Sequence, residues 1–103
     1  MKVCIFGAGA IGGFLAAYLS KANNEVSLIA RGSNLAAYKE RGITLHHGDK
    51  FVQAYPFSTN DSQEVGTVDL VFVTIKAPSL FDLGKKIRPL LGQETKVVFA
   101  MNG

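Results

Sequence analysis

Cysteine and clustered charge are both scarce in this sequence. Cys4 is the one cysteine among 103 residues, and no run of like charge is longer than Lys85–Lys86. A single cysteine excludes an intramolecular disulfide and is typical of a reducing compartment. Cys4 lies within an apolar run, so we interpret it as a small buried residue rather than a reactive thiol. His46 and His47 are adjacent and cannot form a zinc site with one distant cysteine, so no metal site is predicted.

The scattered charge also excludes classes of partner. There are 11 Lys and Arg against 8 Asp and Glu, a formal charge of +3. That is too little to indicate nucleic-acid binding, and aromatic and basic residues are not interleaved as in RNA-binding sheets. Residues 3–20 carry no charge, but glycines interrupt the run, so we predict neither a targeting segment nor a transmembrane helix. We therefore expect a cytoplasmic protein with no nucleic-acid or membrane partner.

The first half of the chain alternates strand and helix patterns. With 48% hydrophobic residues, one packed domain over residues 1–103 is expected. A β-prone run at residues 3–6 precedes a glycine-rich turn, and residues 26–30 form a second strand. Between them, one helix face is predicted from the apolar residues Ile11, Phe14, Leu15, Tyr18 and Leu19. Ser33 is predicted to cap a second helix, which Gly42 ends.

The second half predicts a hairpin, a buried strand, a third helix and a last strand. Residues 43–46 and 51–57 flank a turn, and residues 70–75 are apolar except for Thr74. Ser79 opens a helix that continues to Ile87 and that Pro89 ends, and the last strand is residues 97–101. This order predicts the α/β class, with a Rossmann-type doubly wound, mostly parallel sheet. Because no helix follows the last strand, we expect part of a longer protein or a natural half-protein, with an exposed sheet face that favours a homo-oligomer.

The glycine-rich turn carries the strongest functional signal. It has the pattern G-x-G-x-x-G, formed by Gly7, Ala8, Gly9, Ala10, Ile11 and Gly12. Between a strand and a helix, Gly7 permits the tight turn, Gly9 lets a pyrophosphate approach the backbone and Gly12 lets the helix pack closely. The free N–H groups of the helix then hold the phosphates. The turn therefore predicts dinucleotide binding, the alternative being a tight turn without a ligand.

Arg31 stands where NAD-binding domains of this type have an acid. About twenty residues after the glycines, an acid normally accepts hydrogen bonds from the ribose 2′-hydroxyl. Here no Asp or Glu lies between Glu25 and Glu40, and Arg31 follows the second strand. A guanidinium group suits a 2′-phosphate, so we predict NADP rather than NAD or FAD. The alternative is a solvated surface arginine.

Two more polar residues follow predicted strands. Lys76 follows the strand that ends at Ile75, and Asn102 follows the one that ends at Met101. In open α/β sheets, ligands bind outside the carboxyl ends of the strands. Lys76 is therefore predicted to add positive charge near the cofactor phosphates, and Asn102 to supply an amide near the nicotinamide. The alternative for Lys76 is a solvated lysine at a strand end.

At these positions the chain resembles the N-terminal domain of the ketopantoate reductase (2-dehydropantoate 2-reductase) family. The segments GAGAIGG, ARG, DLVFVTIKA and the terminal NG carry the resemblance, which extends over the whole chain. It implies that Gly7 to Gly12 bind the pyrophosphate and that Arg31 and Lys76 bind the 2′-phosphate region. It also implies that Asn102 lies by the nicotinamide and contacts a small keto-acid substrate. Members of the family reduce 2-dehydropantoate to pantoate with NADPH, in pantothenate biosynthesis.

The resemblance also implies what this chain lacks. The general-acid lysine and the substrate-binding carboxylate of the family belong to a helical C-terminal domain that is absent here, so we predict no catalytic residue. Pro78 and Ser79 stand where family members often have a Gln or Asp that contacts the ribose. Two other functions share these motifs: a non-catalytic NAD(P)-sensing module, and another NADP-dependent reductase of a small keto acid, a 3-hydroxyacid or a sugar phosphate.

Overall fold

The computed structural model describes residues 1–7, 9–75 and 82–100. Strands and helices alternate along most of the chain. In order, they are β1 (Lys2–Phe6), α1 (Ala10–Lys21), β2 (Glu25–Ile29), α2 (Gly32–Arg41), β3 (Ile43–His47), β4 (Lys50–Ala54), β5 (Phe57–Thr59), β6 (Val68–Val73), α3 (Leu83–Ile87) and β7 (Leu91–Phe99). Short 3-10 turns at Ser62–Glu64 and Arg88–Leu90 precede β6 and β7.

A five-stranded sheet in the order β5-β2-β1-β6-β7 forms the centre of the molecule, and all its strand pairs are parallel. The chain moves outward from β1 through β2 to β5, then returns to the other side of β1 as β6. The strand order therefore reverses between β1 and β6, which is the position where open α/β sheets bind ligands. This topology confirms the predicted Rossmann-type α/β fold.

Alternation along β1 directs side chains into two hydrophobic clusters, one on each face of the sheet. Cys4 and Phe6 belong to a cluster with Ile87 and Leu90, from the segment that includes α3. Val3 and Ile5 belong to the other cluster, which includes buried residues of α1, β3 and β4. Both faces of the central strand are thus covered, and the doubly wound prediction is confirmed.

Helix α1 packs on the sheet with a different face from the one predicted. Its buried positions are the small residues Gly12, Gly13, Ala16 and Ala17. The predicted apolar face is only partly buried: Leu15 packs at the edge of the core, while Phe14 is 53% exposed. The prediction was wrong because periodicity identifies large apolar side chains, whereas close approach of a helix to a sheet requires small ones.

The second helix begins differently from the prediction and ends as predicted. Arg31, in an extended conformation, is the N-cap residue, and no side chain caps the helix, so Ser33 lies inside the first turn. Gly42 follows the helix with a φ of +68°. This left-handed conformation is the reason for a glycine at that position.

The predicted strand 51–57 is two separate strands. The hairpin around the turn is confirmed, because β3 and β4 pair antiparallel, but β4 ends at Ala54. Phe57 begins β5, which pairs parallel with β2 as an edge of the main sheet. Tyr55 and Pro56 separate the two strands.

The last part of the described chain forms the other edge of the sheet. The third helix is five residues long and Pro89 lies in the turn that follows it, as predicted, whereas Ser79 lies outside the described residues. Strand β7 is longer than predicted and pairs only with β6 within the described sheet. Three of its apolar residues, Val97, Val98 and Phe99, are exposed. No helix within the described ranges is long and apolar enough to cross a membrane.

Candidate dinucleotide-binding site

Gly7 begins the glycine turn directly after β1. Its N–H donates to the Ile29 carbonyl at 3.0 Å, which extends the pairing of β1 with β2 by one residue. Its φ is +119°, and a β-carbon there would lie 2.8 Å from both Ile75 Cγ2 and Thr74 Oγ1. Both the conformation and the crowding therefore require glycine at this position.

Gly12 allows α1 to lie close to this turn. A β-carbon at Gly12 would lie 2.2 Å from the Gly7 carbonyl oxygen and 2.9 Å from Thr74 Oγ1. No real side chain tolerates such contacts, so the first turn of α1 rests directly on the Gly7 carbonyl. This is the close helix packing predicted for the last glycine of the motif.

Gly9 differs from Gly7 and Gly12 because nothing in its described surroundings requires a glycine. It is the N-cap residue of α1, its φ is −103°, and a β-carbon there would have no atom within 4 Å. Neither backbone conformation nor packing within the described chain requires a glycine at this position. The open space beside Gly9 is the geometry that lets a ligand approach the backbone.

The amino terminus of α1 also lacks its own polar partners. No side chain of the described residues caps it, and its first turn contains no acidic residue. The first N–H groups of a helix have no partner inside the helix, and the helix dipole makes this end favourable for negative charge. The end of α1 therefore presents donors that an anion can accept.

Arg31 lies at the same edge of the sheet, two residues beyond the end of β2. The Ala30 N–H donates to the Thr59 carbonyl at 2.9 Å, so Arg31 leaves the sheet beside the end of β5. Its side chain is exposed and makes no ion pair with any described residue. The guanidinium group is thus free to bind an anion outside the carboxyl ends of the strands.

The acids near β2 lie in two different places. Glu25 is the first residue of β2, at the amino edge, and its Oε2 lies 3.8 Å from Lys2 Nζ, so it is far from the glycine turn. Asp61 follows β5 at the carboxyl edge, and its Oδ1 accepts a hydrogen bond from the Gln63 N–H at 3.0 Å. Sequence reasoning missed Asp61 because β5 was joined to the hairpin. This hydrogen bond caps the 3-10 turn and uses one of the two carboxylate oxygens of Asp61.

Three predicted site residues, Ala8, Lys76 and Asn102, lie outside the described residues. The described chain does reach the carboxyl edge beside two of them. Ile75 follows the end of β6, and the Ala100 N–H donates to the Val73 carbonyl at 2.9 Å, just after β7. Gly7, Gly9, Arg31, Ile75 and Ala100 therefore meet at one edge.

An open cleft of about 470 Å³ lies beside this edge, between α1, α2 and β3. Its lining includes Gly9 from the glycine turn, Asn34 from the first turn of α2 and the aromatic residues Phe14 and Tyr38. A larger cleft of about 610 Å³ lies at the other end of α1, next to Lys21 and Asn24. We favour the smaller cleft as part of the site because only it includes residues of the glycine turn.

Cys4 takes no part in this site. Burial raises the pKa of its thiol to about 12, so it is uncharged near neutral pH and behaves as the small hydrophobic residue that the sequence predicted. Within the described ranges, no group of three or more His, Cys, Asp or Glu side chains is arranged to hold a metal ion.

The parallel sheet, its reversal point and the glycine turn together define a Rossmann-type α/β domain. Comparison with known proteins then identifies the family. The family model for ketopantoate reductase PanE/ApbA matches residues 3–103. The chain belongs to this family of oxidoreductases, as its motifs predicted.

The relatives are longer than this chain. A 2-dehydropantoate 2-reductase of Mesorhizobium japonicum is 41% identical over 104 residues, a match that covers 100% of this chain and 32% of the relative. A similar enzyme from Lactococcus lactis is 32% identical, and the chain covers 34% of it. The chain therefore spans about a third of the length of the curated relatives it matches.

Solved structures agree with the fold. The 2-dehydropantoate 2-reductase from Porphyromonas gingivalis superimposes with a TM-score of 0.89 at 34% identity, covering 100% of this chain and 39% of that one. A D-mandelate dehydrogenase in a ternary structure with NADH and anilino(oxo)acetate gives a TM-score of 0.85 at 32% identity, with coverage of 100% and 34%. The first is a reductase by name and the second is a dehydrogenase with NADH bound, and together with the Rossmann-type fold they imply a nicotinamide cofactor.

Proposed function

We propose that residues 1–103 are the NADP(H)-binding domain of a reductase that acts on 2-dehydropantoate or a similar small keto acid. The observation that carries this proposal is the contrast among the three motif glycines. Gly7 and Gly12 are required by the protein itself, whereas Gly9 faces open space within a motif where a bound pyrophosphate would account for the glycine. A pyrophosphate that approaches the backbone at Gly9 accepts hydrogen bonds from the first turn of α1.

Arg31 selects the phosphorylated cofactor in this proposal. Its free guanidinium group forms a bidentate contact with the 2′-phosphate, and Lys76 adds positive charge nearby. A charge-assisted hydrogen bond contributes about 1.5–3 kcal/mol, so NADPH is expected to bind about ten- to a hundredfold more tightly than NADH.

The chain supplies binding and orientation rather than proton transfer. When bound, the reduced nicotinamide supplies a hydride for the substrate carbonyl carbon. Asn102 is proposed to hold the nicotinamide end and to contact the substrate through its amide. The proton for the resulting alkoxide is expected from an acid elsewhere in the complete protein, so this chain alone is expected to bind the cofactor without turnover.

A parallel titration with NADPH and NADH, followed by nicotinamide fluorescence, tests this proposal. Arg31→Ala should reduce NADPH affinity about ten- to a hundredfold and leave NADH affinity nearly unchanged. Arg41→Ala is a matched control, because Arg41 is exposed at the opposite end of the same helix. No binding of either cofactor by the folded chain would refute the proposal.

A second candidate is an NADH-dependent dehydrogenase of a different 2-keto acid. It is favoured by the likeness to the D-mandelate dehydrogenase that binds NADH, and by Asp61 at the carboxyl edge. Equal or tighter binding of NADH in the same titration would support it. In that case Asp61→Asn should reduce NADH affinity, while Arg31→Ala should have little effect on either cofactor.

A further inference from the structure

Thr74 is the polar residue within the apolar run 70–75, and the proposed function does not yet use it. It follows β6 at the point where the strand order reverses, and it is half-buried. Its backbone N–H donates to the Phe6 carbonyl at 2.9 Å, which extends the pairing of β6 with β1. Its side chain lies beside Gly7, at the start of the glycine turn.

The hydroxyl of Thr74 donates to the Gly7 carbonyl. The oxygen atoms are 2.9 Å apart, whereas the Phe6 carbonyl oxygen is 3.4 Å away, so the single hydroxyl proton goes to Gly7. Within the described part of the chain, Thr74 is the one donor to this carbonyl.

Gly7 is thus held from both neighbours of β1. Its N–H is bonded to Ile29 of β2 and its carbonyl to Thr74 after β6, while Gly12 of α1 packs over the same carbonyl. Gly7 is buried, and its carbonyl lies between the Thr74 hydroxyl and the backbone of α1 at Gly12. A change at Thr74 is therefore expected to alter both the conformation of the glycine turn and the position of α1 against it.

We propose that Thr74 is a positioning residue for the dinucleotide, because its hydroxyl fixes the glycine turn in the shape that receives the pyrophosphate. This inference rests on the proposed function. Thr74 acts through Gly7 and Gly12 and makes no contact with the cofactor in this scheme. Its effect is to hold the donors of α1 in place before the cofactor arrives, so less order has to be gained on binding.

Thr74→Val is the decisive variant, because valine has nearly the same shape and lacks the hydroxyl. It leaves the Gly7 carbonyl buried without a donor, which favours a rotated carbonyl and a displaced first turn of α1. We expect NADPH and NADH affinity both to fall about tenfold, by the same factor, because the pyrophosphate is common to both. Arg31→Ala, by contrast, changes the ratio of the two affinities. Thr74→Ser keeps the donor and should restore binding to within about twofold of the original.

Thr95→Val is a matched control at the opposite edge of the sheet. Thr95 is also half-buried, and its hydroxyl donates to the Val68 carbonyl at 2.5 Å and accepts from the Gly92 N–H at 2.7 Å. Thr95→Val should lower the melting temperature of the full chain, as Thr74→Val does, but should leave the affinity for both cofactors unchanged. All affinities are measured well below the melting temperature of the weakest variant.

The outcomes separate this inference from the proposed function. If Thr74→Val lowers the melting temperature but binds both cofactors like the original chain, the positioning role is refuted and dinucleotide binding stands. If Thr74→Ser fails to restore binding, the hydroxyl is not the cause and the inference is also refuted. If the original folded chain binds neither cofactor, both the proposed function and this inference fall.

Discussion

At the amino edge of the sheet, polar groups pair with one another. The Lys2 N–H donates to Asp69 Oδ2 at 2.8 Å, and the Lys2 ammonium group lies 3.8 Å from Glu25. At the carboxyl edge, the guanidinium group of Arg31 has no ion-pair partner among the described residues, and no side chain caps α1. Among the described residues, the amino edge of the sheet therefore pairs its charged groups with one another, while the carboxyl edge keeps free cationic and N–H donors. Free donors of this kind are what an anionic ligand requires.

The backbone of the glycine turn at the carboxyl edge is nevertheless held in place. The Gly7 backbone is bonded on both sides, and Gly12 lies against it. The comparison of the two edges therefore separates two requirements of a binding site. The scaffold must be fully bonded, and the groups aimed at the ligand must be left unpaired.

The largest effect is expected from Gly12→Ala. The new methyl group would lie 2.2 Å from the Gly7 carbonyl oxygen, so α1 must move from the sheet. We expect a loss of about 3 kcal/mol in the free energy of unfolding, measured by urea denaturation, and loss of cofactor binding. Gly84→Ala is the control, because a β-carbon in that helix meets no atom within 4 Å. It should stabilise the chain by about 0.5–1 kcal/mol.

A pH titration tests the core that joins the two edges. The Cys4 thiol keeps its proton in the folded chain up to a pKa of about 12, but ionises near 9.0 when unfolded. The unfolded chain therefore binds fewer protons above pH 9, and stability falls as pH rises towards 12. We expect Cys4 to lower the free energy of unfolding by about 2 kcal/mol at pH 10.5 relative to pH 7. Cys4→Ala should remove this part of the pH dependence; an unchanged slope would contradict the assignment.

Gly9→Ala should separate binding from folding at the carboxyl edge. Its methyl group enters open space, so the melting temperature should change little. The same methyl group would occupy the path proposed for the pyrophosphate, so NADPH affinity should fall about tenfold by fluorescence titration. Unchanged affinity together with unchanged stability would remove the main support for ligand binding at this glycine.

The smallest effect is expected at the amino edge, from Glu25→Gln. The Lys2–Glu25 pair is exposed, and exposed pairs contribute about 0–1 kcal/mol. Neither NADPH nor NADH affinity should change, because the pair lies at the edge away from the glycine turn. An effect on cofactor binding as large as that of Arg31→Ala would break the distinction between the two edges.

Much of this architecture could be predicted from the sequence. The glycine motif predicted the turn after β1, and the apolar runs predicted β1, β2 and β6, because buried parallel strands are continuously hydrophobic. The placement of Arg31 at the end of β2 followed from the same reasoning. These features depend on patterns of neighbouring residues, which a single sequence is enough to recognise.

Features set by tertiary contacts were harder to predict. Strand β5 is three residues long, too short to show alternation, and only its pairing with β2 makes it a strand. Asp61 was missed with it. Thr74 was visible as the one polar residue of its run, but its bond to Gly7 depends on two strands distant in sequence. The predicted roles of Lys76 and Asn102 remain predictions.

The bond between Thr74 and Gly7 joins residues 67 positions apart, so it has a consequence for the order of events during synthesis. A nascent chain exposed only to residue 60 already contains the glycine motif and Arg31, yet β1 lacks its neighbour β6. Contacts between distant residues form slowly because a long loop must close first. On the proposed function, we therefore expect the nascent chain to bind a dinucleotide only after β6 has emerged and docked, well after the motif itself has been translated.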